Sequence, residues 1–184
     1  MSHTTTAKWT LEQYHQMIAA GILEGQPVEL LNGEIIEMPP EGEPHAYYNT
    51  NARDYLVGLL GERAQVREGH PITIPSSNSE PEPDLAIVQP LAREYLNHHP
   101  YPENIFWLIE FSNSSLAKDL NPKAKAYAAA GIAEYWVVNL RTMELVVMRS
   151  PKQGDYQSVT TLTQGEINPV AFPDLRLSVQ RLLA

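Results

Sequence analysis

The chain has 184 residues, of which 43% are hydrophobic and 19% charged, a composition that suits one globular domain with a real core and excludes a disordered tail. It has no cysteine, which excludes a disulfide framework and cysteine-based zinc sites and fits a reducing compartment. Against 13 Lys plus Arg stand 22 Asp plus Glu, a formal net charge of −9, and this stands as an objection to any role that needs phosphates neutralised.

The opening MSHTTTAKWT has no apolar signal core. No stretch approaches the ~20 apolar residues of a membrane helix, so the expectation is a cytoplasmic protein without a membrane partner. Thr10 followed by Gln13 reads as a capping box, with Leu11, Tyr14, Met17 and Ile22 on the apolar side of a first helix. PVELLNGEIIEMP then reads as a hairpin, because Asn32-Gly33 supplies the two positive-φ residues of a primed turn. A second helix runs from about His45 to Leu60, its Tyr48, Ala52, Leu56, Leu59 and Leu60 following the helical period.

Extended pieces come next: AQVRE, PITIP and DLAIV, and after a loop the strongly apolar IFWLIEFS. DLAIV and IFWLIEFS have no long helix between them, and such neighbours are most often antiparallel. The start of the first then lies beside the end of the second, and Asp84 meets Glu110 at one edge of the sheet. Asp84 alone reads equally well as a turn residue after proline. Glu110 closes a run apolar enough to be covered on both faces, where a carboxylate is costly unless partnered. It is either a satisfied structural carboxylate or, with Asp84, half of a divalent-cation site. Two strand-end carboxylates and a backbone carbonyl suit Mg²⁺, a hard ion that binds oxygen.

Asn121, Pro122 and Gly131 read as the cap, first position and stop of a third helix, KAKAYAAA. Lys123 and Lys125 lie roughly 200° apart around it, so only one can face the carboxylates. Lys123 shares its face with Tyr127 and Ala130 and follows the Glu110 strand closely, which favours it. EYWVVNL and MELVVM read as two more strands in a hairpin.

The order PD, a strand ending in E-x-S, Asp119-x-x-x-Lys123 leading into a helix with Tyr127, then A-G-I-A-E-Y-W-V-V over 130–138, resembles the Uma-type endonuclease family, numerous in cyanobacteria. ELLNGEIIEMP with His45 after it, and the closing FPDLRLSV, are similar to the family's two ends, so the resemblance covers nearly the whole chain. It implies the PD-(D/E)xK superfamily and an α/β (α+β) restriction-endonuclease-like core, a mixed β-sheet flanked by helices, as a single domain over 1–184. It further implies catalytic Asp84, Glu110 and Lys123, with Mg²⁺ (Mn²⁺ as a substitute) held by Asp84, Glu110 and the Phe111 carbonyl. Where the superfamily keeps its lysine this sequence has Ser112, and the lysine has moved to the following helix. Ser112 and His45 are accessory candidates, and His45 has a surface or capping role as its plainer alternative. The implied activity is phosphodiester hydrolysis of nucleic acid, DNA first, by a homodimer.

Other residues carry less. Glu29 and Glu34 flank the hairpin turn and are expected to be solvated, and Glu80 and Glu82 to sit in a charged loop. His98 and His99 are sequence neighbours, which rarely ligate one ion together. Trp107 and Trp136 lie inside apolar strands and belong to the core. Pro173-Asp174 is a second PD, but no carboxylate follows it. Two other classes stay open beside a nuclease: an idle nuclease fold that binds nucleic acid or protein, and an acidic interaction module with structural Asp84 and Glu110.

Overall fold

The computed structural model describes residues 6–184, so the opening stretch read for a signal core lies partly outside them. Helix α1, Leu11–Ala19, opens on the expected capping box: Thr10 Oγ1 accepts from the Gln13 N–H at 3.2 Å and Gln13 Oε1 from the Thr10 N–H at 3.0 Å. It buries Tyr14 but stops before Ile22, which is exposed. Strands β1, Val28–Leu31, and β2, Glu34–Glu37, pair antiparallel across Asn32 (φ 52°) and Gly33 (φ 74°), the primed turn the dipeptide favours. Helix α2, Glu43–Leu60, has Pro44 in its first turn, and its residues Asn49, Ala52, Leu56 and Leu60 are buried along one stripe.

The central sheet has six strands in the order β3, β4, β5, β6, β7, β8. They are Gln65–Glu68, Leu85–Val88, Ile105–Ser112, Glu134–Asn139, Glu144–Lys152 and Asp155–Leu162. Only β5 and β6 run parallel, so the sheet is mixed. The expected β4–β5 pairing is antiparallel, with Leu85 opposite Ile109. Between β5 and β6 the crossover needed by parallel strands is helical: α3 (Leu116–Lys118), a π-helical turn (Asp119–Lys123) and α4 (Ala124–Ala129). Two short strands, β9 (Glu166–Ile167) and β10 (Leu177–Ser178), and helix α5 (Val179–Leu182) follow.

Each face of the sheet has its own core. Trp107, Ile109 and Phe111 of β5 pack with Ala52, Leu56 and Leu60 of α2 and Leu182 of α5. Leu108 packs on the other face with Ala124 and Tyr127 of α4, Ile132 and Tyr135. Trp107 and Trp136 are fully buried, as expected of core residues. This alternation, period two along a strand, sends Glu110 and Ser112 to the α4 side.

Two expectations fail locally. PITIP is not a strand: the N–H groups of Ile72, Thr73 and Ile74 bond to Pro81, Pro100 and Ser79 in turn, three unrelated partners, and Pro75 opens a 3-10 turn, so no ladder forms. The third helix does not begin at Asn121 and Pro122, because the chain is already helical from Leu116. Pro122 lies inside the π-helical turn, a widening that accommodates a residue with no N–H to give and a ring that crowds the preceding turn. The consequence for the lysines is unchanged: Lys123 is buried and Lys125 exposed.

Candidate active site

Asp84 stands just before β4 and Glu110 near the end of β5. The Phe111 N–H donates to Asp84 Oδ2 at 2.6 Å, and the Asp84 N–H reaches Glu110 Oε2 at a long 3.4 Å. A residue's N–H and C=O leave an extended strand on the same side, so the Phe111 carbonyl faces the Asp84 edge as well. The two carboxylates and this carbonyl therefore meet at one sheet edge, in a cleft of about 610 Å³.

Glu110 is 4% exposed and does not lie there unpartnered. Lys123 Nζ donates to its Oε1 at 2.8 Å and the Tyr127 hydroxyl at 3.3 Å, one turn further along the same helical face. Burial pushes the Glu110 proton affinity well up, Lys123 pulls it back, and the charges of Asp84 and Asp119 raise it again. For Lys123 burial favours the neutral amine, but Glu110, Tyr127 and Glu29 outweigh it and hold the ammonium charged.

Glu29 is the main correction to the sequence reading. It is fully buried, not solvated, and binds Lys123 Nζ at 3.1 Å, Lys118 Nζ at 3.0 Å and the Glu82 N–H at 3.1 Å. Burial alone would raise its carboxyl, yet Lys123 and Lys118 lower it below the ordinary value. Lys123 is thus clamped between two carboxylates, from β1 and β5. The signal was available: VELL is a short apolar run with a carboxylate in it, the same oddity that marks Glu110. Glu34, by contrast, is exposed and pairs with Lys8.

His45 lines the same cleft. Its Nε2 lies 2.9 Å from Asp84 Oδ2 and its Nδ1 2.7 Å from Glu41 Oε1. Burial disfavours the charged ring, but the bonds and charges of Asp84 and then Glu41 prevail and push its pKa up to about 9. Ser112 stays one step away, its hydroxyl donating to Asp119 Oδ2 at 2.7 Å beneath the π-helical turn. Glu82 lines the cleft. Glu80 is buried instead of lying in a charged loop, held by His15 at 2.9 Å and Thr73 at 2.7 Å beside a separate pocket that His98 and His99 also line. His98 donates to the His99 carbonyl at 2.7 Å and stacks on Tyr101. The second PD is a surface feature, with Asp174 in a bidentate pair with Arg63.

Among the described residues no group of three or more His, Asp or Glu side chains is arranged to hold a metal ion. The donor chemistry at Asp84 and Glu110 nevertheless fits a hard cation, since Asp84 Oδ1 has no partner among the described residues and Glu110 Oε2 only the long N–H contact. No helix among them is long and apolar enough to cross a membrane.

No curated protein matches the chain. Among solved structures it is similar to one described as a "putative nuclease belonging to DUF820" from Anabaena variabilis, at a TM-score of 0.73 and 17% identity, over 95% of this chain and 97% of that one. That likeness shows the fold alone, a mixed sheet flanked by helices. The family model for Uma2, described as "Putative restriction endonuclease", matches residues 11–180, which span both partners of the Glu29–Lys123 clamp and both carboxylates of the sheet edge, so the chain belongs to the Uma2 family.

Proposed function

We propose that this chain is a divalent-metal-dependent endonuclease that hydrolyses phosphodiester bonds of DNA. One observation carries the reading: Asp84, Glu110 and Lys123, from three separate elements, converge in one cleft with Lys123 held charged beside Glu110. Asp84, Glu110 and the Phe111 carbonyl would hold Mg²⁺, with Mn²⁺ as a substitute. Bound there, the ion supplies Lewis-acid polarisation of the scissile phosphate. Lys123, fixed by Glu29 and Glu110, orients the attacking water or offsets charge at phosphorus, preorganised because its partners leave it no other place. His45 holds Asp84 Oδ2 at 2.9 Å and so orients that carboxylate in the cleft. No nucleophilic side chain is needed.

The reading extends to a single nuclease domain acting in the cytoplasm, and to a two-fold dimer, since an acidic chain needs paired local surfaces to hold a duplex. Light scattering at micromolar concentration tests the dimer, and a strict monomer counts against duplex cleavage. The charge of −9 favours the second reading, an idle nuclease fold that binds without cutting. Incubation with single-stranded and duplex DNA and Mg²⁺ or Mn²⁺ separates the two. Cleavage by the parent, lost in Asp84→Asn, supports the enzyme; no cleavage of any substrate supports the idle fold.

A further inference from the structure

Arg67 stands on β3, an edge strand of the sheet, opposite Ala86 of β4. That register puts its side chain on the α4 face, the face of Glu110. It is half-buried, and its Cζ sits 5.4 Å over the ring centre of Tyr95. The Tyr95 hydroxyl donates to the Gln89 carbonyl at 2.9 Å, so the ring is a fixed platform. Arg67 Nε is buried without a partner, but neither Nη is: both terminal amino groups lack a hydrogen bond among the described residues and reach solvent.

Every other lysine or arginine that is not exposed, among the described residues, has a carboxylate: Lys118 and Lys123 share Glu29, and Arg149 has Glu134. Arg67 has none. Burial pushes its pKa down, and only Tyr95 opposes that shift, with no acidic side chain contributing. Stacking on the ring accounts for the flat face of the guanidinium. Its in-plane N–H groups, which match two oxygens of a phosphate, stay unused. A half-buried cation costs stability unless it is partnered, so an open fork points to a partner that arrives from outside.

Its position says which partner. Glu68 and Gly69, the next two residues, line the cleft of Asp84 and Glu110, and the Gly69 N–H donates to the Asp84 carbonyl at 3.0 Å. Two residues of strand span about 7 Å, on the order of two nucleotide steps. Glu68, the carboxylate next to Arg67 in sequence, points to the opposite face and pairs with Arg53. We propose that Arg67 binds a phosphate of the substrate strand through its Nη groups, outside the cleft and about one or two nucleotides from the bond that is cut. This rests on the nuclease reading. It supplies a phosphate contact to a chain of net charge −9 whose cleft lysines are already paired.

The test titrates fluorescent single-stranded and duplex DNA in Ca²⁺ at several salt concentrations with the full chain, Arg67→Gln and Arg67→Lys. Lys152→Gln, at an exposed lysine of β7 with no ion pair among the described residues, is the control of equal charge change. Losing one phosphate contact lowers the slope of log affinity against log salt by about 0.7 for a single strand and about 0.9 for a duplex. Arg67→Gln is expected to show that loss and to bind about tenfold more weakly at low salt. Arg67→Lys should keep the slope but, without the fork, bind several-fold more weakly, while Lys152→Gln keeps the parent's slope. If the parent binds DNA and Arg67→Gln leaves the slope unchanged, Arg67 only packs on Tyr95, and the inference fails while the nuclease reading stands. An equal fall in slope in Lys152→Gln overturns it too, since the effect is then one of net charge. Should Arg67→Gln not fold, Arg67→Lys decides: weaker binding supports the inference and affinity equal to the parent's overturns it. If the parent binds no DNA at all, the nuclease reading fails and takes this inference with it.

Discussion

Glu29→Ala removes the carboxylate that holds two lysines at once. Glu29 is fully buried and Lys123 nearly so, which leaves Lys123 facing Glu110 alone and Lys118 without its partner. Taking one partner from a buried ion pair costs about 3–5 kcal/mol, because the remaining charge stays desolvated. For a domain of this size each kcal/mol lowers the melting temperature by about 2–4 °C, so a fall of roughly 6–20 °C is expected. Glu29→Gln retains an acceptor for the Glu82 N–H and should fall less. Circular dichroism melts at neutral pH read both. The same variant has a pH signature. The folded-state carboxyl of Glu29 lies below its ordinary value of 4.5, so its contribution is present above that value and lost as pH falls through the lower folded one. The parent should lose stability as pH drops below about 4.5, and Glu29→Gln should flatten that part of the profile. A melting temperature unmoved by Glu29→Ala, with an unchanged acid limb, would refute the clamp.

Lys123→Ala should lower the DNA cleavage rate by about 10²- to 10³-fold, the usual loss of one preorganised electrostatic group, while exposed Lys125→Ala stays near the parent; equal effects would mean that the helical register is misread. Chelation by EDTA should stop cleavage and added Mg²⁺ or Mn²⁺ restore it, and cleavage that persists in EDTA would contradict a metal mechanism. Glu134→Ala strips a buried acceptor from the Trp136 indole, from Arg149 and from the Val170 N–H. Urea unfolding should show a loss of about 3 kcal/mol or more, and a change under 1 kcal/mol would sink that expectation.

What the sequence made legible follows the range of the physics. The Asn32-Gly33 hairpin and the Thr10–Gln13 cap are local and were readable residue by residue. Asp84 beside Glu110 was readable because β4 and β5 are consecutive and antiparallel, a rule of connection rather than of composition. The helical period set Lys123 and Lys125 on opposite faces, and the face shared with Tyr127 and the short step from Glu110 chose between them; Lys123 is the buried one even though Pro122 sits inside a π-helical turn rather than at a helix start. Glu29 was missed although VELL sets a carboxylate inside an apolar run; that oddity marks burial, but the lysines that neutralise it come from a distant crossover. His45 and Asn49 illustrate the same limit. Both lie on one face of α2, but whether that face meets solvent, core or cleft depends on how the helix docks against β5, which no local pattern states.

Calorimetric titration of Mg²⁺ into the parent and into Asp84→Asn reaches the proposed centre most directly, since it needs no knowledge of the substrate. The parent should bind one ion per chain with measurable heat, and Asp84→Asn should bind none while remaining folded, its relief of repulsion with Glu110 offset by the lost ion pair with His45, so that the melting temperature falls only modestly. Equal binding by the two proteins would place the ion elsewhere. Loss of folding in Asp84→Asn would make the carboxylate structural, and the proposed metal-dependent chemistry at this edge would fall with it.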